Sequence, residues 1–144
     1  MKTPSPFLLF LIPQQRDSKK PNTQFQEFKM TKCALFVFNA DPMCFIHVLL
    51  NALDMKEKGN EAKIIVEGSA TQLIPELAQS DHPLHQLWEK VKDVGLVDGA
   101  CRACSNKMGV LKDAEAQGLN LLDDMSGHPG MAGYRSAGYE IISF

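Results

Sequence analysis

From residue 33 onward, short continuous apolar runs alternate with segments whose apolar residues recur at helical spacing. Residues 33–39 (CALFVFN) form such a run, the mark of a strand buried on both faces. The run breaks before Asp41-Pro42, where Asp41 can cap a helix and Pro42 suits its first position. Ile46, Leu49, Leu50 and Leu53 then recur at helical spacing, and Gly59 ends the helix. Residues 62–67 read as a second strand, which completes a βαβ unit with the right-handed crossover such units take.

The next stretch is weaker. Ser69 and Gln72 have capping-box spacing, but Pro75 would disturb a continuous helix. A better helix is expected from Pro83, with Leu84, Leu87, Trp88 and Val91 on one face and Gly95 as its stop. A third strand over 96–100 leads directly into Cys101, and the helix-prone stretch 102–117 is interrupted at Gly109. Residues 119–122 are a candidate fourth strand, 123–128 a polar loop, 129–137 a short helix and 139–144 a fifth strand. This alternation predicts an α/β fold: a doubly wound three-layer sandwich around a mainly parallel five-stranded sheet.

Composition narrows the function classes. The chain has 144 residues, 44% of them apolar and 22% charged, which suits one ordinary domain with one core. A formal charge of −2 argues against a nucleic-acid surface, which shows as a basic excess. Four cysteines without a recognisable export signal point to a reducing, cytoplasmic setting rather than a disulfide framework. The apolar run 7–12 follows Lys2 but is too short for a signal-peptide core or a membrane span. Residues 1–29 therefore read as a poorly ordered extension, either a loose tail or the product of an over-early start codon, before a domain over 30–144.

Cys101-Arg-Ala-Cys104 carries the sharpest chemistry. In open α/β sheets ligands bind beyond the carboxyl ends of the strands, where Cys101 is expected to fall. A helix starting there would offer amide N–H groups and its dipole to a thiolate, with Arg102 adding positive charge. The thiolate is the reactive form, and two intervening residues let one sulfur resolve an adduct on the other. The competing reading makes both cysteines small buried hydrophobes. That reading dominates for Cys33, inside the first strand, while Cys44 in the first helical turn is a weaker candidate for reactivity.

A zinc site built from the cysteine pair with His82 and His85 is not expected. Pro83 should start a helix around which the two histidines diverge, and the chain holds a single CxxC. No metal and no cofactor is therefore predicted. In the 123–130 loop, Gly127 and Gly130 permit unusual dihedrals, and Ser126 or His128 could cap the following helix or face a ligand. Neither a dinucleotide fingerprint nor a P-loop occurs, nor a serine-centred hydrolase elbow.

These features, taken in order from Cys33 to Phe144, resemble the DsrE/DsrF-like family of small α/β proteins, which includes sulfur-relay subunits. The resemblance rests on the cysteine ending the third strand (Cys101), a second three residues on (Cys104) and a glycine eight residues from the first (Gly109). The segment starting at Gly118, the Gly130-Met131 pair and the final strand to Phe144 add to it. It implies that Cys101 carries a persulfide, that donor and acceptor proteins or a small thiol ligand are the partners, and that the chain forms homo-oligomers, trimers or hexamers. Two departures stand out: the polar Ser105-Asn106-Lys107 after the cysteines, and the 123–128 loop.

The resulting expectation is a cytoplasmic thiol protein, associated with neither membrane nor nucleic acid. Cys101 would accept sulfane sulfur, and Cys104 would resolve or protect the adduct. A flavodoxin-like strand order would make the first and third strands neighbours and set Asn39 and Asp41 across a crevice from Cys101. The alternatives are a non-catalytic ligand-binding or assembly module and a CxxC dithiol redox protein.

Overall fold

Burial on both faces suits Lys32–Val37 (β1) to the interior of the sheet: every residue from Cys33 to Val37 is buried. The computed structural model describes residues 29–144; all but the last residue of the 1–29 extension lies outside them. Asp41 caps Pro42–Glu57 (α1), its carboxylate accepting the Met43 amide N–H at 2.8 Å, with Pro42 in the first turn as expected. The buried stripe of α1 is Phe45, Val48, Leu49 and Ala52. Leu50, expected in the core, is 45% exposed because it lies one position, a rotation of about 100°, round from Leu49.

Glu61–Val66 (β2) follows, then a 3₁₀ turn over Gly68–Gln72 and the short helix Leu73–Leu77 (α2). Ser69 makes no capping box; its hydroxyl donates to the Phe38 carbonyl at 2.8 Å and ties the turn to the end of β1. Pro75 falls within the first turn of α2, where its missing N–H costs nothing. The helix expected from Pro83 begins two residues later, as His85–Asp93 (α3), with Trp88 and Val91 fully buried. Val97–Cys101 (β3) runs straight into Arg102–Lys107 (α4), and Gly109 at φ +75° separates that from Leu111–Ala116 (α5). Leu121–Leu122 (β4), Met131–Ser136 (α6) and Glu140–Ser143 (β5) complete the chain.

All pairings are parallel and the strand order is β4-β3-β2-β1-β5. The chain steps outward from β1 through β2 and β3 to β4, then returns to add β5 on the other side of β1. Right-handed crossovers therefore put the helices between β1 and β4 on one face and α6 on the other. Strand alternation agrees. Leu35, Val37, Ile64 and Val66 join Phe45, Trp88 and Ile74 in the larger core, whereas Ala34, Phe36 and Ile65 meet Tyr134 and Tyr139 on the thinner face. The three-layer α/β sandwich is thus observed, but the flavodoxin-like order is not. β2 stands between β1 and β3, so no β1/β3 crevice exists for Asn39 and Asp41 to share with Cys101.

Two polar contacts lock the larger core. Trp88 donates its indole N–H to Gln117 Oε1 at 2.8 Å, and the Gln117 amide donates to the Ile74 carbonyl at 2.7 Å. One side chain at the end of α5 thereby satisfies buried groups on α3 and α2. Gly99 of β3 lies tight against the segment entering β4. A Cβ there would lie 2.4 Å from the Asn120 carbonyl oxygen, so only glycine lets β3 and the segment entering β4 meet. No helix among the described residues is long and apolar enough to cross a membrane.

Candidate functional site: a Cys–Cys–His–Glu cluster above the sheet

The carboxyl ends of β2 and β3 lie side by side and bring four chemically able residues together: Glu67, Cys101, Cys104 and His128. Cys101 is both the last residue of β3 and the N-cap of α4, with extended dihedrals (φ −61°, ψ 119°). Its Sγ accepts the Cys104 amide N–H at 3.3 Å, which meets the expectation of a helix amide at this sulfur. Cys101 is fully buried, whereas Cys104, one turn along α4, is half-buried.

Burial decides the protonation of the inner thiol. It pushes Cys101 up to about 12; the Cys104 amide opposes this, and the Cys104 thiol and Glu67 add to it. The free thiolate expected at this position is therefore not what the buried site favours, because the cost of desolvating the anion outweighs one amide hydrogen bond. Nor does Arg102 lend its charge. Its side chain turns outward and its Nε donates to Asp123 at 2.8 Å.

His128 reaches the cluster from the loop after β4. Its Nδ1 lies 3.2 Å from Cys101 Sγ, 3.7 Å from Cys104 Sγ and 3.7 Å from Glu67 Oε1. The loop is built as a hairpin: Met125 and His128 exchange backbone hydrogen bonds, and Ser126 and Gly127 turn the chain with φ of 53° and 89°. Positive φ at both central residues is the geometry of a type I′ turn. Ser126, read from the sequence as a cap or ligand group, is an exposed turn residue instead. Three contacts pin the loop: Arg102–Asp123, the Ala103 N–H to the Gly127 carbonyl at 2.9 Å, and the Gly130 N–H to Asp124 at 3.0 Å.

Glu67 is the residue that motif reasoning missed. It directly follows β2, its side chain is only 10% exposed, and burial raises its carboxyl above the usual value while His128 pulls it back. Its carboxylate accepts no hydrogen bond among the described residues, and His128 Nδ1 at 3.7 Å is beyond hydrogen-bond length. The available signal was an acid at the carboxyl end of an otherwise buried strand.

The remaining expected residues lie elsewhere. Asn39 and Asp41 surround Cys44 at the end of β1, with Cys44 Sγ 3.8 Å from Asp41 Oδ2 and 3.9 Å from Asn39 Nδ2. His82 and His85 serve the backbone before and at the start of α3. His82 Nδ1 accepts the Leu84 N–H at 3.1 Å, and His85 Nδ1 sits 2.8 Å from the Leu77 carbonyl. Cys33 is a buried strand residue whose thiol burial raises further.

Fold and cluster together define the class: an α/β protein with a parallel sheet and a CxxC pair met by a loop histidine and a strand-end glutamate. The chain is 40% identical over 97 residues to the uncharacterized protein MJ0733 of Methanocaldococcus jannaschii, a match covering 67% of this chain and 77% of the relative. It belongs to that protein's family. Two uncharacterized proteins of Archaeoglobus fulgidus also match, one 50% identical over 40 residues and the other 51% over 37. These cover 28% and 26% of this chain, and 66% and 100% of the relatives. No family model matches the chain, and neither does any solved structure.

Proposed function

We propose that this protein handles sulfane sulfur on the Cys101–Cys104 pair, taking it from a low-molecular-weight or protein persulfide and passing it to an acceptor thiol. The observation that carries the reading is the pairing of the sulfurs of one fully buried and one half-buried cysteine around a single imidazole nitrogen, at 3.2 and 3.7 Å. An imidazole at that distance can take the thiol proton and stabilise the resulting anion as an ion pair, offsetting the burial penalty.

The difference in exposure reverses the order of use expected from the sequence. Cys104 is the sulfur a donor meets first, and fully buried Cys101 is the resolving one. In the first step the Cys104 thiolate attacks the outer sulfur of R–S–SH, giving a Cys104 persulfide and the thiolate R–S⁻, while His128 holds the thiol proton. An acceptor thiolate then attacks the outer sulfur of that persulfide and restores the Cys104 thiolate. Where no acceptor comes, Cys101 attacks the inner sulfur, forms the disulfide and expels HS⁻. Resemblance to the DsrE/DsrF-like family favours the same chemistry.

Intact mass spectrometry of reduced, metal-free protein after incubation with glutathione persulfide tests this. The expected result is a transient gain of one sulfur on the wild type that gives way to the Cys101–Cys104 disulfide, a persistent gain on Cys101→Ser and none on Cys104→Ser. A Cys101→Ser variant that takes up no sulfur, or a Cys101→Ser/Cys104→Ser double variant that takes up as much, overturns it.

A further inference from the structure

We infer that Glu67, Cys101, Cys104 and His128 form a binding site for a thiophilic divalent cation of the zinc class. The four residues come from the end of β2, the end of β3, α4 and the loop after β4, and their candidate ligand atoms all lie within 4.8 Å of one another. Bond lengths of about 2.3 Å to sulfur and about 2.0–2.1 Å to nitrogen imply tetrahedral edges of about 3.5–3.8 Å between such ligands. The spacings of 3.2, 3.7 and 3.7 Å from His128 Nδ1 to Cys101, Cys104 and Glu67 are already close to that size. With no two ligand atoms more than 4.8 Å apart, small side-chain shifts would close the shell around an ion.

Glu67 supplies an independent reason. A carboxylate nine-tenths buried normally owes its place to hydrogen bonds or a cation; this one accepts no hydrogen bond among the described residues and has the His128 imidazole 3.7 Å away. It points instead at two sulfurs and an imidazole. Two thiolates, one carboxylate and a neutral imidazole carry −3, which a divalent ion reduces to −1 while it displaces two thiol protons to solvent. Sulfur makes up half of the donor set, which selects zinc-class ions over magnesium or calcium.

The sequence pointed away from a metal because Pro83 was expected to set His82 and His85 apart and the chain holds a single CxxC. The fold uses His128 instead, delivered by the pinned Ser126-Gly127 turn. The inference stands whether or not the pair accepts sulfur. A bound ion would hold both sulfurs as thiolates and close them to persulfides, so the two activities exclude each other in time.

Anaerobic titration of the reduced, metal-free chain with Co²⁺, followed by Zn²⁺, separates this inference from the sulfur reading, since no sulfur donor is present. The expected outcome is thiolate-to-cobalt charge transfer in the near ultraviolet with strong tetrahedral visible bands. These saturate at one equivalent and vanish as Zn²⁺ displaces cobalt. Cys101→Ser and Cys104→Ser should each weaken the charge-transfer band, while His128→Ala and Glu67→Gln weaken binding by at least about tenfold, the loss that even an outer-shell partner can cause. Cys44→Ser should leave the titration unchanged. Far-ultraviolet circular dichroism checks the fold of each variant, and isosteric Glu67→Gln serves as the ligand test least able to disturb it. Absence of charge transfer in the wild type, or unchanged affinity in both folded His128→Ala and folded Glu67→Gln, overturns the site.

Discussion

Cys44 and Cys101 hold similar local positions, yet only one lies in a converging cluster. Each falls at the first turn of a helix that follows a parallel strand, α1 after β1 and α4 after β3. Cys44 has the longer helix, but the polar atoms near its sulfur are supplied by Asn39 and Asp41, a few residues back along the same connection. Cys101 stands where two neighbouring strands end together and a hairpin folds back from β4, so groups 34 and 27 residues away in sequence, Glu67 and His128, reach the same few ångströms. A helix start supplies a local field; a reactive or metal-holding sulfur needs donors from separate elements, and sheet topology decides which cysteine receives them.

The comparison can be broken from the Cys101 side most severely at Gly99. Gly99→Ala would drive a Cβ into the Asn120 carbonyl at 2.4 Å and Leu122 at 2.9 Å, prising β4 from β3. Denaturant unfolding should show a loss at the upper end of overpacking costs, about 3 kcal/mol, together with loss of cobalt binding. Wild-type stability in the variant would mean that the two segments separate freely.

Gly127→Ala acts more locally. It imposes a side chain at φ +89°, 3.3 Å from Ala103 Cβ, and should cost about 1–2 kcal/mol while displacing His128. A variant with full stability and full cobalt affinity would show that the turn does not position the imidazole.

Asp41→Ala probes the other station. Loss of the α1 cap should cost about 1 kcal/mol by thermal or chemical denaturation and leave sulfur uptake and cobalt binding at Cys101–Cys104 intact. Coupled loss at both stations would erase the distinction between them.

The smallest effect expected is a pH-dependent one at Glu67. Burial raises its carboxyl, so in metal-free protein the neutral form favours the fold. That contribution is complete below the unfolded value of about 4.3 and disappears as pH rises through the higher folded value. Glu67→Gln should therefore melt close to wild type near about pH 4 and above it near about pH 7, the sign reversing once zinc is added. A gap independent of pH, or a variant less stable at neutral pH without metal, would contradict the assignment of Glu67 as a buried acid whose desolvation outweighs its contact with His128.

Much of the architecture was legible from local pattern because each signal acts over a few residues. The β1 run, the Asp41-Pro42 helix start, the Trp88 face of α3 and the break at Gly109 all appear within about two residues of where the pattern put them. Leu50 and Ser69 show the limit. Helical spacing admits both Leu49 and Leu50 until packing picks a side, and the Ser69 hydroxyl chose a carbonyl 31 residues away over its own helix end.

By itself, then, the chain determined its alternating elements, their parallel class and the cysteine pair at a strand end, since these follow from periodicity, turn chemistry and a fixed spacing of three. Only the tertiary structure decided that β2 separates β1 from β3, that Cys101 lies beneath Cys104, and that Glu67 and His128 rather than Arg102, Asn39 or Asp41 face the sulfurs. The physical reason is that strand order and burial are set by contacts between residues far apart in sequence, whose energies no local window contains.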